Sequence, residues 1–454
     1  MKFEAHLRKI DEFAEKITAL SDFIWDNPEP GFREFKSSGA LQDALRAEGF
    51  RVTAGLAGLP TAFRAEYGSG RPAIGVLAEF DALPNLNYEA GKTEPVFRSD
   101  VTYGHGCGHN LFAGGSFAAA LAIKSFLDEQ GSGSVTLFGC PAEEGRGGKV
   151  YMARAGVFSG MDAVLGWHPE KMHMVRTRPS LANVEVDYSF RGIAAHAGGS
   201  PEQGRSALDA CELMSVGCNY LREHMPTTCR IHYAYQNAGG EAPNIVQANA
   251  KVRYLIRADD SEAVQRLWAR VNKVAQGAAM MTETEVSWEV VAAYSNLITN
   301  SVLQKTGYEA MREIPAPVPD AADLAFGRAL QATMQLSEAD AAKPIYADRA
   351  LEPAPPKPHG GSTDTADVSW NCPTLQFHIG TWVIGTPGHS WQAVTQGKSA
   401  FAHKALLYAG KSIAATAMRL LSEPELLAAA KAEFLEKTKG GYHCPLPDSV
   451  QPKL

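Results

Sequence analysis

Four short runs carry apolar residues on both faces and show no alternation: AIGVLA (73–78), SVTLFG (134–139), DAVLG (162–166) and TLQFHI (374–379). A strand that is apolar on both sides must be covered on both sides, and parallel sheets flanked by helices provide that cover. Helical stretches lie between some of these runs, notably LFAGGSFAAALAIKSFLDEQ from Leu111. The alternation predicts an α/β fold: a mixed, mainly parallel sheet with helices on both faces. Ligand sites in such sheets gather at the carboxyl ends of the strands.

The middle of the chain follows a different pattern. NVEVDYSF (183–190) alternates as a strand with one wet face. A helix is predicted from Arg205 to about His224, with Leu208, Cys211, Met214, Cys218 and Leu221 at spacings of three and four. Two strand-like runs follow, CRIHYAYQ (229–236) and NAKVRYLIRA (249–258). A second helix from about Ser261 places Val264, Leu267, Val271, Val274 and Ala278 on one face, and TEVSWEVVAAY (284–294) closes the block as a strand. The order β-α-β-β-α-β is ferredoxin-like. It predicts an inserted domain over 184–297, with residues 1–183 and 298–454 forming the α/β domain on either side. The Pro-rich stretch PAPPKPHGGS (353–362) reads as a stiff connector.

With 454 residues, 45% of them hydrophobic and 20% charged, the chain has the make-up of an ordinary globular protein with two or three cores. A net charge of −7 and the lack of any basic block argue against nucleic acid and anionic membrane as partners. MKFEAHLRKIDEFAEKITALSDFIW reads as an amphipathic helix and not as a signal peptide, and no apolar run approaches bilayer length. The seven cysteines, at 107, 140, 211, 218, 229, 372 and 444, are scattered and form no CxxC pair. Neither a disulfide framework nor a zinc knuckle is expected, and a reduced cytoplasmic location is the simplest expectation.

The stretch GHGCGHN (104–110) sets Cys107 and His109 in a glycine loop ahead of the predicted helix. Alone it reads more readily as a turn with a packed cysteine and a helix-capping Asn110 than as a metal site. Similar residues, however, follow the other predicted strands. Glu79 and Asp81 come after AIGVLA, Glu143 and Glu144 after SVTLFG, His168 after DAVLG, and His389 beyond TLQFHI. A thiol, three imidazoles and up to four carboxylates then share one rim of one sheet, which a site for one or two divalent metals explains. The adjacent glutamates suit that site: in an extended loop they diverge, so that one binds metal while the other acts as general base.

GHGCGHN, PAEEGRGGKVYM, GWHP, GIAAHAGGSP, GGEAPNIVQANAKVRYLIRA, GGSTDTADVSW and GTPGHSW, taken together and in this order, resemble the aminoacylase and carboxypeptidase-G-like metallohydrolases. They are similar to the branch with a cysteine ligand, which includes hippurate, indole-acetyl-amino-acid and aminobenzoyl-glutamate hydrolases. The resemblance implies Cys107, His109, Glu144, His168 and His389 as metal ligands, Glu143 as general base and Asp81 as the orienting carboxylate. Glu79 stands where two-metal relatives often have a histidine ligand. In the inserted domain it implies dimerisation, with His196 reaching the partner's site to polarise the scissile carbonyl and Asn244 contacting substrate. Arg257 is a candidate cation for a substrate carboxylate, or else a solvated arginine on a strand face, and Asp364 is a candidate supporting carboxylate. Asn110 and Gln392 depart from the branch's usual aspartate and glutamate, lowering negative charge near the metals.

The implied activity is metal-dependent hydrolysis, with Mn2+ or Zn2+, of the amide between an aromatic acyl group and an amino acid. Aminobenzoyl-glutamate is the leading substrate, and indole-acetyl-aspartate or a hippurate-type amide the alternative. From another class, the chain is a non-catalytic partner of a paralogous hydrolase. A homodimer and a heterodimer with a paralogue are both open.

Overall fold

The computed structural model describes residues 3–353 and 361–454, so most of the Pro-rich connector lies outside the described residues. The strands are β1 (Arg51–Ala54), β2 (Phe63–Ser69), β3 (Ala73–Glu79), β4 (Leu83–Pro84), β5 (Tyr103–Gly104), β6 (Gly133–Cys140), β7 (Ala163–Glu170), β8 (Met174–Val175), β9 (Ala182–Arg191), β10 (Arg230–Asn237), β11 (Asn249–Ala258), β12 (Glu285–Tyr294) and β13 (Thr374–Gly380). Seven of them form one sheet in the order β1-β2-β6-β3-β7-β13-β8. Its centre, β6-β3-β7-β13, is parallel throughout, and these are the four apolar runs read from the sequence. The antiparallel strands β1, β2 and β8 flank them, outside that pattern.

Every residue of β3 is buried, as cover on both faces requires. The helix His109–Gln130 packs on the central strands and against the helix Ala400–Ser422. It is long and apolar enough to cross a membrane, which corrects the expectation that no apolar run reaches that length. Nearly all of it is buried inside the fold, so its apolarity is that of a central core helix. Gly115 is the reason the helix can lie so close to β7: a Cβ there would fall 2.8 Å from the Trp167 ring. Trp167 Nε1 also donates to the Phe112 carbonyl at 3.0 Å, which locks the helix to the residue before His168.

A second sheet, β10-β11-β9-β12, is antiparallel at every pairing. The helices Ala207–Leu221 and Ser261–Thr282 pack on it and on each other, giving the ferredoxin-like order. Alternation in β11 is complete: Ala250, Val252, Tyr254, Ile256 and Ala258 are buried, and the residues between them are not. The N-terminal helical region divides into Glu4–Glu12 and Ala14–Asp26 instead of running unbroken.

Candidate metal centre

The loop before the helix His109–Gln130 is built around Gly108, whose φ of +71° and 3.0 Å approach to Pro169 suit only a residue without a Cβ. That turn brings Cys107 and His109 to the end of β7. His109, the first residue of the helix, is fully buried. Its Nδ1 lies 2.9 Å from Asp81 Oδ1, and its Nε2 faces Glu79 Oε2 at 3.2 Å. A carboxylate holding one imidazole nitrogen directs the other toward a metal. The second oxygen of Asp81 accepts the Glu144 backbone N–H at 2.9 Å, so one side chain orients two candidate ligands. Burial opposes ionisation of Asp81, but its bonds to His109 and Glu144 and the charge of Lys149 prevail and lower its pKa.

His168 lies within β7, which runs on to Glu170, rather than in the loop expected after DAVLG. Its Nδ1 is 2.7 Å from the Pro169 carbonyl, leaving Nε2 as the ligating nitrogen. His389 sits at a left-handed turn (φ 54°), with Nε2 3.0 Å from Cys107 Sγ and 3.7 Å from Glu144 Oε2.

The adjacent glutamates do not occupy an extended loop. Ala142 is left-handed (φ 58°, ψ 41°), and a distorted turn, Glu143–Arg146, follows it. The Ala142 N–H donates to Glu34 Oε1 at 2.8 Å, and the Thr61 hydroxyl donates to the other oxygen of Glu34 at 2.7 Å. Burial, and then the charge of Asp81, raise the Glu34 pKa to about 8. The two carboxylates of the pair diverge: Glu144 joins Cys107 and His389, whereas Glu143 faces Glu79 and His109 and accepts from the Thr363 hydroxyl at 3.1 Å. Burial, reinforced by Glu79, Asp364 and Glu144, holds the Glu143 pKa well above its usual value.

Three donor groups have ligand atoms within 4.8 Å of one another: Cys107/His109/His168, Cys107/Glu144/His389 and Glu79/His109/Glu143. The first two share Cys107 and together contain all five expected ligands. His109 Nε2 and Glu144 Oε1 are buried and make no hydrogen bond among the described residues, so a cation would satisfy these atoms. The mixture of thiolate, imidazole and carboxylate suits a divalent transition metal.

Lys149 and Glu34 carry no signal in the sequence read alone. Lys149 is fully buried, with Nζ 2.7 Å from Glu79 Oε1 and 2.6 Å from Asp364 Oδ1. Glu79 is therefore half committed to Lys149, and Asp364 supports the site through that ammonium. The departures at 110 and 392 turn away from the donors. Asn110 Nδ2 donates to Ser21 Oγ and the Gly397 carbonyl, and Gln392 Nε2 lies 3.5 Å from Thr333 Oγ1. Asn110 is also not the helix cap; Gly108 holds that position.

His196 and Asn244 lie together in the second sheet's domain, exposed, with the Ala197 N–H donating to the Asn244 carbonyl. Among the described residues their hydrogen bonds stay within that loop region and do not reach the donor groups of the same chain. The Gly198 and Gly199 N–H groups donate to His196 Nδ1, which leaves the hydrogen of the neutral ring on Nε2. Arg257 is not a solvated strand-face residue. Its Nη1 donates to Ser362 Oγ at 2.6 Å, beside Thr363 and Asp364, and burial lowers its pKa.

The pattern of the peptidase family M20/M25/M40 matches residues 75–416. The chain is 41% identical to one of the subunits of p-aminobenzoyl-glutamate hydrolase of Escherichia coli (strain K12), covering 98% of this chain and 97% of that protein. It is 30% identical to the Xaa-Arg dipeptidase of Mus musculus over 94% and 90% of the two chains. Among solved structures, a dinuclear metal-binding M20 peptidase of Bacillus subtilis superposes with a TM-score of 0.61 at 17% identity, covering 91% of this chain and 99% of that one. Fold, sequence pattern and near-full-length identity agree: this chain is a hydrolase belonging to peptidase family M20/M25/M40.

Proposed function

We propose that the protein hydrolyses the amide between an aromatic acyl group and an amino acid, releasing p-aminobenzoate and glutamate from p-aminobenzoyl-glutamate. The observation that carries this reading is the pair of donor triads sharing Cys107, with Glu143 directly beside the ligand Glu144. The 41% identity with the E. coli protein selects the substrate among the family's amides. Cys107, His109, Glu144, His168 and His389 hold one or two divalent metals, Mn2+ or Zn2+. Metal bound there supplies Lewis acidity, acidifying a water and polarising the amide carbonyl.

Glu143 takes the proton of the attacking water and returns it to the amide nitrogen, so the C–O bond forms and the C–N bond breaks without free acid or base. Asp81 keeps His109 and the Glu144 backbone in register. The Nε2–H of a partner subunit's His196 donates to the carbonyl oxygen, Asn244 contacts the substrate, and Arg257 takes its α-carboxylate. The domain division is 1–183 with 298–454 for catalysis and 184–297 for dimerisation. Exposed apolar residues on the second domain, Val216 and Tyr220 on a helix and Tyr233 and Tyr235 on the edge strand β10, support a self-association or paralogue-pairing face. Seven unpaired thiols support a reducing, cytoplasmic setting.

The test is turnover of purified, metal-loaded protein on a panel of p-aminobenzoyl-glutamate, indole-acetyl-aspartate and hippurate. Preferred cleavage of the first is expected. Preference for either of the others reassigns the acyl group, and absence of turnover on all three leaves the non-catalytic partner reading in its place.

A further inference from the structure

Arg176 follows directly on the edge strand β8, which runs antiparallel to β13, so that it comes level with Gln376. Its backbone N–H donates to the Gln376 carbonyl at 2.9 Å, and its Nη1 donates to Gln376 Oε1 at 2.8 Å. Gln376 is buried on β13 opposite Gly166, with His378 opposite His168 in the same register. Side chains two apart on a strand share a face. Gln376 therefore lies on the His168 face, the one that turns away from the core helix packed on Trp167.

The remaining side-chain bond of Arg176 is a 3.3 Å contact from Nε to the Arg178 carbonyl. Among the described residues it makes no ion pair. Burial pushes its guanidinium down to about 10, against the pull of Glu143 and Glu170, so it stays charged at neutral pH. A half-buried cation without a carboxylate partner has lost part of its hydration with nothing to replace it. Nη1 is held by Gln376 and Nε by the Arg178 carbonyl, while Nη2 makes no hydrogen bond among the described residues, so a carboxylate can reach the guanidinium through Nη2 and the second hydrogen of Nη1.

We propose that Arg176, held by Gln376, forms the specificity pocket for the side-chain carboxylate of an acidic amino acid on the leaving side of the scissile bond. The inference rests on the amidohydrolase reading above, in which Arg257 takes the α-carboxylate. Two carboxylates then meet two separate guanidinium groups. A neutral side chain would leave the half-buried Arg176 without a carboxylate, and a cationic one would be repelled. Discrimination by a charged group left without its partner is stronger than discrimination by apolar fit.

Equilibrium binding of L-glutamate, L-glutamine and L-arginine to metal-loaded, full-length protein tests this without needing turnover. Wild type should bind glutamate roughly 100-fold more tightly than glutamine, and arginine more weakly still. Arg176→Gln should weaken glutamate to the level of glutamine while leaving glutamine unchanged, and Arg176→Lys should recover part of the preference. Gln376→Glu guards against misfolding of the arginine variants. It supplies an internal carboxylate to Arg176, so it should also abolish the preference for glutamate while keeping glutamine binding. Equal weakening of both amino acids in Arg176→Gln assigns Arg176 a merely structural role and overturns the proposal. So does an unchanged glutamate affinity, or a wild type that binds glutamine or arginine as well as glutamate. If the glutamate preference and its loss are seen but no N-acyl amino acid is hydrolysed, the amidohydrolase reading fails and the pocket stands.

Discussion

The ammonium of Lys149 lies 2.6 Å from the carboxylate of Asp364, with both side chains wholly buried. The same ammonium holds Glu79 at 2.7 Å, so one cation fixes two acids that come from distant parts of the chain. Removing it strands two buried charges. Lys149→Met should cost about 3–5 kcal/mol of stability in urea unfolding, the penalty for breaking a buried pair. Lys149→Met with Asp364→Leu should recover part of the loss. A cost below about 1 kcal/mol would show that the ammonium is not what neutralises this cluster.

Cys107 belongs to two of the three donor triads, whereas His168 and His389 belong to one each. Elemental analysis of purified protein should find one or two transition metals per chain. Cys107→Ala should lose more of that metal than His168→Ala or His389→Ala does, because it opens both triads. Stripping with a chelator should abolish turnover, and adding Mn2+ or Zn2+ back should restore it. Active protein that contains no metal would end this reading.

Glu143 and Glu144 are neighbours in sequence but fall into different donor groups. Glu143→Gln should retain metal and lose roughly 10²–10⁴-fold in kcat, the range for a lost general base. Glu144→Gln should lose metal together with activity. Near-normal turnover in Glu143→Gln would require another base.

His196 is exposed, and among the described residues it hydrogen-bonds only within its own loop region. His196→Ala should bind metal and dimerise normally yet be nearly inactive. Mixed with Glu143→Gln, it should form dimers in which one site combines an intact base with an intact His196, restoring up to half of the activity per mixed dimer. Subunit exchange without any recovery would restrict His196 to its own chain.

Asp367 is fully buried and accepts from the Ser295 hydroxyl and N–H and from Tyr442; burial outweighs these bonds and raises its pKa to about 7. Over the window between the carboxyl's ordinary value and about 7, the native state holds a proton that the unfolded chain has released. The native state binds more protons there, so this contribution to stability falls as pH rises, and it levels off above pH 7. Urea unfolding at pH 5 and pH 8 should show a smaller pH dependence in Asp367→Asn than in wild type. An identical difference in both proteins would remove Asp367 as the source.

Residue order was enough to specify the four parallel strands, the β-α-β-β-α-β order of the second sheet and the rim on which the ligand candidates gather. These are local properties: whether a segment is apolar on both faces or on one decides how it must be covered, and strand ends follow from that. The flanking strands β1, β2 and β8 lack such a signature because they are buried less uniformly than the four central ones. Long-range packing alone settles that Cys107 serves two donor groups, that Glu79 is shared between His109 and Lys149, and that Asn110 points into helix packing. It also places Glu34 under the left-handed Ala142, and Arg176 in a half-buried position with no carboxylate partner among the described residues. Each of these depends on where side chains from well-separated segments meet. Register and close packing set that meeting point, and a one-residue shift along a strand would send each such side chain to the opposite face.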